Sequence, residues 1–224
     1  MEDGVERLFV NRTEAGRRLA ESLRAYKEHP DAIVLGLPRG GVPVAYEVAR
    51  QLGLPLDVFV VRKLGVPGYE ELAMGAIASG NVSVLNEDVV RALPNPQAMI
   101  DMVMAQEKLE LARRETHYRQ DRPSPSLRGR IVILVDDGLA TGATMRAAAA
   151  ALRKQEAAKI IVAVPVGAPE TCQELASEVD EMVCAIMPAV FHGVGQFYED
   201  FSQTSDEEVR ELLAMAKGWE NPGE

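Results

Sequence analysis

Residues 131–145 read IVILVDDGLATGATM. The five aliphatic residues Ile131 to Val135 fit a strand buried on both faces. They run straight into two adjacent carboxylates, Asp136 and Asp137. Like charges that close repel, and carboxylates are costly to take out of water. A strand end that carries such a pair points to a bound partner that compensates it, a polyol with a divalent cation nearby. The loop that follows has Gly138 and Gly142 for unusual backbone angles and hydroxyls on Thr141 and Thr144. It then enters the helical stretch MRAAAAALRK. Successive backbone amides at a helix start form a cradle for one phosphate group. Carboxylates that accept from hydroxyls, followed at once by a phosphate cradle, describe a site for a sugar phosphate.

Working outward, apolar strands alternate with helical segments. Residues 5–28 place Leu8, Ala15, Leu19 and Leu23 at helical spacing and predict an amphipathic helix. AIVLG (32–36) predicts a strand, then a Pro/Gly loop and a helix over 42–52. LDVFVV (56–61) predicts a second strand, and 62–75 a turn-rich loop, with strands near 74–79 and 82–86. A long charged helix is expected from Gln97 to about Arg119, ended by RPSPSLRG. Beyond the strand at 131–135 come a helix at 144–155, a strand at 159–166, a helix at 169–177 and a strand at 179–186. Residues 187–203 read as irregular and aromatic, and 205–216 as a closing helix with Ser205 as N-cap and Glu208 completing the box. The expected fold is therefore α/β: a mostly parallel central sheet flanked by helices, with a small hood lobe. Ligands sit at the carboxyl ends of such strands. The chain, 1–224, reads as a single domain, with 187–203 as the hood segment.

Composition narrows the function. The chain is 47% hydrophobic and 26% charged, which is the balance of a globular protein. No apolar run approaches the roughly 18 residues of a membrane span. The opening MEDGVERLF lacks an apolar signal region, so a cytoplasmic location is expected. Cys172 and Cys184 form neither a disulfide framework nor a metal spacing, and read as reduced thiols. The net charge of −10 is uneven: residues 170–224 hold 13 acidic and 2 basic side chains. A near-neutral body with an acidic end is a poor general binder of nucleic acid, although residues 108–130 carry seven basic side chains. A small anionic ligand remains open.

At this point VILVDDGLATGAT (132–144) resembles the thirteen-residue motif by which type I phosphoribosyltransferases bind phosphoribosyl pyrophosphate. It is not a Walker loop, for it lacks Gly-Lys-Ser/Thr, and it does not match the dinucleotide glycine pattern. The resemblance implies that Asp136 and Asp137 hold the ribose 2- and 3-hydroxyls. It likewise assigns the 5-phosphate to Gly138, Leu139, Ala140, Thr141, Gly142 and Thr144. GLPRGGVPVA (36–45) stands where this family places its pyrophosphate loop. Arg39 brings a fork of donors, and Gly40 and Gly41 let the main chain approach an anion closely. The family often carries a cis peptide before that arginine, which implies one at Pro38–Arg39. VRKLGVPGYEELAMGAIA (61–78) corresponds to the family's flexible catalytic loop, with Arg62 and Lys63 as further groups for departing pyrophosphate. The expected catalytic set is Arg39, Lys63, Asp136 and Asp137.

MPAVFHGVGQFYEDF (187–201) occupies the position of the family's hood, where purine-using members stack a base. Phe191, His192, Phe197 and Tyr198 are candidates for that acceptor platform, with hood packing as the alternative. His29 and His117 lie on polar stretches and receive no role. Ala140 stands where the 6-oxopurine enzymes carry an Asp, which argues against hypoxanthine or guanine as acceptor. Over its whole length the chain looks most like a bacterial group sharing LGLPRGGVPVA and VILVDDGLATGATM.

The resemblance implies transfer of a phosphoribosyl group to a nitrogenous small-molecule acceptor, with release of pyrophosphate. It implies Mg held mainly by the substrate, with Asp136 and Asp137 behind it, and no direct protein ligand. The alternatives are a phosphoribosyl pyrophosphate sensor without transferase activity and a related phosphorolysis or hydrolysis. A homodimer is compatible with the family; no membrane partner is expected.

Overall fold

A computed structural model describes residues 8–120 and 122–220; the opening residues 1–7, where the first helix was expected to begin, lie outside it. In chain order the first half contains α1 (Arg12–Ser22), β1 (Ala32–Gly36), α2 (Gly41–Leu52), β2 (Leu56–Val58), β3 (Val61–Val66), β4 (Tyr69–Ala78), β5 (Val82–Leu85) and α3 (Glu87–Ala92). The second half contains α4 (Pro96–Arg119), β6 (Ile131–Val135), α5 (Ala143–Lys154), β7 (Lys159–Val166), α6 (Pro169–Ala176), β8 (Glu181–Ile186) and α7 (Asp206–Glu220).

Five strands build a wholly parallel sheet in the order β2-β1-β6-β7-β8. Its central strands are apolar throughout because both faces are covered. Along β1 and β6, side chains alternate between two cores. Val34, Ile133 and Val135 face a cluster built with Leu19 of α1, Val48 of α2 and Leu213 of α7. Ile33, Leu35, Val132 and Leu134 face a second cluster with Met145 and Leu152 of α5 and Leu175 of α6. This is the expected α/β architecture.

Three local readings are corrected. The helix expected over 5–28 begins only at Arg12, where the Asn11 side chain caps it by accepting from Glu14 N at 3.0 Å. Residues 8–11 before it are not helical, and Phe9 forms an isolated parallel bridge with Tyr198. The strand expected over 56–61 is two strands in different sheets, β2 and β3. The turn-rich loop expected over 62–75 is an antiparallel hairpin, β3 and β4, that β5 extends to a three-stranded sheet. The pairing shifts register at Gly65, where the β-structure bends. At α7 the cap reads as expected, with Glu208 N donating to Ser205 Oγ at 3.0 Å. Among the described residues no helix is long and apolar enough to cross a membrane.

Candidate active site

β1 and β6 are neighbours in register from Ala32–Ile131 to Gly36–Val135, so the two loops that follow them leave the sheet side by side. Leu37 N donates to Val135 O at 2.9 Å, which ties the PRGG loop to the base of the acidic loop. The Pro38–Arg39 peptide is cis, as the motif implied. Gly40 lies so close to Asp137 that an added Cβ would overlap the carboxylate Oδ2. The two motifs, about a hundred residues apart in sequence, form one cleft at the carboxyl ends of the parallel strands. Arg39 is partly buried and makes no ion pair among the described residues, so its donors remain free for an anion.

The acidic pair is held from both sides. Asp137 N donates to Asp136 Oδ1 at 2.8 Å. Asp137 Oδ2 receives Arg12 Nε at 2.8 Å, and its carbonyl receives the Tyr198 hydroxyl at 2.6 Å. Burial, followed by the charge of Asp137, pushes the Asp136 carboxyl well above the usual carboxylate range. Burial also raises Asp137, and there Arg12 opposes the shift. The pair is thus short of positive charge or hydroxyl donors on its open side.

After Asp137 the loop is pinned at intervals. Leu139 N donates to Val166 O at 2.9 Å, and Ala168 N donates to Leu139 O at 2.8 Å. The Leu139 side chain is buried, so this residue anchors the loop and its amide is spent; the expectation that it holds phosphate is corrected to a structural role. Thr171 Oγ1 donates to Ala140 O and Arg146 Nη1 to Thr141 O, at 2.7 and 2.9 Å. Gly142 adopts φ +73, a left-handed angle that starts α5 with its amides turned outward. The first helical bond runs from Arg146 N to Gly142 O. The amides of Ala143, Thr144 and Met145 therefore have no acceptor within the helix. Thr141 and Thr144 are exposed beside them.

The hood lies over this cleft. Val194 packs on Gly138, where a Cβ would collide with it. Phe197 and Tyr198 are each 3% exposed and belong to a small core with Phe9, Ala15 and Val166. Of the two readings, stacking platform or hood packing, their burial fits packing, and the Tyr198 hydroxyl braces the acidic loop. Phe191, half-buried against Phe197 at 5.5 Å between ring centres, and exposed His192 keep faces toward solvent.

Arg62 and Lys63 are neighbours on β3. Neighbours on a strand point to opposite faces. Arg62 Nε pairs with Glu107 of α4 at 2.6 Å. Lys63 lines a cavity of about 350 Å³ with Ala143, Arg146 and Glu178, between the antiparallel sheet and α5. Arg62 is thus engaged by an acid, while Lys63 borders Ala143 at the start of the helix that offers its amides.

Arg12 was missed. It stacks over the Phe201 ring at 4.0 Å, donates to Ser202 O at 2.7 Å and holds Asp137. Nothing local in the sequence marks it, because all three partners lie far along the chain.

The chain matches the family described as the phosphoribosyl transferase domain over residues 10–202. Two proteins from strains of Mycobacterium tuberculosis, MT0597 and Rv0571c, provisionally named phosphoribosyl transferases, are each 50% identical to it over 210 residues. That alignment covers 94% of this chain and 47% of theirs, so the chain spans about half the length of the curated relatives it matches. The crystal structure of TT1426 from Thermus thermophilus superposes with a TM-score of 0.83 at 42% identity, covering 92% of this chain and 98% of that one.

Proposed function

The chain belongs to the phosphoribosyl transferase family, and from that membership we propose that it moves a phosphoribosyl group from phosphoribosyl pyrophosphate to a nitrogenous acceptor, releasing pyrophosphate. The observation that carries the reading is the contact between the Arg39 loop and the Asp136–Asp137 loop, which sets an anion-binding group beside a polyol-binding pair.

In this reading Asp136 and Asp137 accept from the ribose hydroxyls. The outward amides of α5, with Thr141 and Thr144, take the 5-phosphate. The guanidinium of Arg39 and the amides at Gly40 and Gly41 receive the diphosphate, and their charge stabilises it as the bond to the anomeric carbon breaks. Holding three parts of one donor in a fixed frame leaves only the acceptor nitrogen to be aligned. Two buried carboxylates that lack a cation on one side suit magnesium carried in on substrate oxygens. When bound, that ion would withdraw charge from the diphosphate, with Asp136 and Asp137 steadying it from behind.

The acceptor lies under the hood segment 187–203, with Phe191 and His192 as its nearest open side chains. Ala140, where 6-oxopurine enzymes carry an acid, points away from hypoxanthine and guanine. The chain works as one domain in this account.

The test is a pyrophosphate-release assay with magnesium, phosphoribosyl pyrophosphate and a panel of nucleobases, run beside calorimetric donor binding. Release with at least one base, and loss of donor binding in the Asp136→Asn/Asp137→Asn protein, support the proposal. Unchanged donor affinity in that double variant rejects it. Donor binding with no release for any base favours a sensor of the same donor.

A further inference from the structure

A second cavity of about 350 Å³ lies between the end of α4 and α7, lined by Tyr118, Arg119, Gln120, Arg122, Arg210 and Lys217 along with Ala214. The charge of Arg39 reaches Tyr118, one of the cavity's lining residues. Its charges are unevenly satisfied. Arg119 is fully engaged by Asp57, Glu115, Ser124 and the Val58 carbonyl. Arg122 reaches only two carbonyls, of Arg119 and Leu213, at 3.4 and 3.5 Å. Among the described residues Arg122, Arg210 and Lys217 make no ion pair. Among the described residues the Nε of Arg210 is buried with no acceptor.

That last fact is informative because carboxylates are close by on the same helix. Asp206 sits one turn earlier, yet it accepts from the Tyr118 hydroxyl at 2.7 Å. Glu207 and Glu211 are exposed, and Arg210 pairs with neither. A buried guanidinium donor without a partner costs free energy, and three cations around one hollow repel each other. A bound anion removes both penalties. Guanidinium forks match phosphate oxygens, and an ammonium adds a point charge. The exposed acids Glu207 and Glu211 on the same helix oppose a long polyanion, so a compact ligand fits better.

We propose that this cavity is a binding site for a small phosphate-bearing anion, held by Arg122, Arg210 and Lys217. Its lining residues are not among those the donor reading uses.

The experiment is calorimetric titration of the chain with inorganic pyrophosphate, without magnesium, in an Arg39→Ala background, which removes the guanidinium of the cleft but leaves its backbone amides. At least one pyrophosphate per chain is expected to bind in that protein, and the lining variants identify the share held at this cavity. Adding Arg210→Gln or Lys217→Ala to that background is expected to weaken it roughly tenfold or more. Lys217 is exposed, so its replacement removes charge without disturbing the core and keeps the test readable if Arg210→Gln unfolds the protein. Pyrophosphate displaced equally well by chloride at matched ionic strength, no binding in the Arg39→Ala protein, or equal binding with Lys217→Ala overturns the proposal. None of these outcomes bears on donor binding by Asp136 and Asp137, so the two readings fail separately.

Discussion

Arg12 and Asp137 stand 125 residues apart in sequence and 2.8 Å apart at Nε and Oδ2. Through Ser202 and Phe201 the same guanidinium also holds the hood. It therefore links the order of the hood to the charge on the ribose-binding pair. Arg12→Ala removes the only cation that pairs with either carboxylate among the described residues. The variant is expected to lose about 1–3 kcal/mol of stability in urea unfolding, because a half-buried carboxylate is left unpaired. Donor affinity is expected to fall about tenfold, since the two carboxylates then resist being ionised together. Arg12→Lys keeps charge but not the planar stack on Phe201, and should fall between. Tighter donor binding in Arg12→Ala would show instead that Arg12 competes with the ribose.

Gly40 is a test of how closely the two loops must approach. A methyl group there would overlap Asp137 Oδ2, and the carboxylate cannot retreat without leaving Arg12. Gly40→Ala is expected to cost about 1–3 kcal/mol by overpacking. Donor binding should drop by more than the stability loss alone explains, because the displaced group is the one that accepts from the sugar. Thermal melting and calorimetry on the same preparation separate the two effects.

Asp136 makes the site pH-dependent with a definite sign. Its carboxyl is raised by burial and by Asp137. The unliganded fold is therefore stabilised, relative to the unfolded chain, below the ordinary carboxylate range near about pH 4. That contribution is lost as pH rises through the raised native value. A donor that offers hydroxyls and a cation favours the ionised pair, so binding releases protons and tightens with pH over the same window. Asp136→Asn keeps an oxygen for the Asp137 amide but carries no charge. At neutral pH it is expected to melt a few degrees higher, about 2–4 °C per kcal/mol recovered. It should also bind donor weakly and without proton release in buffers of differing ionisation enthalpy. A lower melting temperature for Asp136→Asn would contradict the assigned strain.

Much of this was legible in the sequence, for physical reasons that also set its limits. β1, β6 and β7 match their expected bounds because strands covered on both faces are unbroken apolar runs. The cleft was readable because each loop follows its strand directly. The hairpin of β3 and β4 was hidden: Gly65, Pro67 and Gly68 look like loop residues, and Tyr69 and Glu70 at its turn are exposed. Asn86 caps the short helix α3 by accepting from Val89 N at 3.4 Å, a signal too brief to separate from its surroundings. For Phe197 and Tyr198 the sequence leaves platform and hood packing both open, because an aromatic pair looks alike in a core and in a platform. Only the docking of Phe9 beside them, through Phe9 N to Phe197 O at 3.0 Å, decides between the two. Arg12 and the unpaired Arg210 depend wholly on contacts between distant segments.

The buried pair of Arg119 and Asp57 gives a last prediction, on how α4 is fastened to the edge strand β2. Their side chains are 5% and 10% exposed, and Arg119 Nε lies 3.0 Å from Asp57 Oδ2. Burial outweighs the guanidinium, so the Asp57 carboxyl is still raised. Removing the cation alone strands a buried charge. Arg119→Leu is expected to cost about 3–5 kcal/mol. That loss should shrink on acidification, because Asp57 can then be protonated in the folded state. Asp57→Leu with Arg119→Met exchanges the pair for apolar volume and is expected to recover most of the loss. Glu115 and Ser124 also bond to Arg119 and lose a partner in both variants, so recovery remains incomplete. Urea unfolding of the three proteins at pH 5 and pH 8 measures each of these differences. A single variant whose deficit is the same at both pH values would show that Asp57 is not the group left stranded.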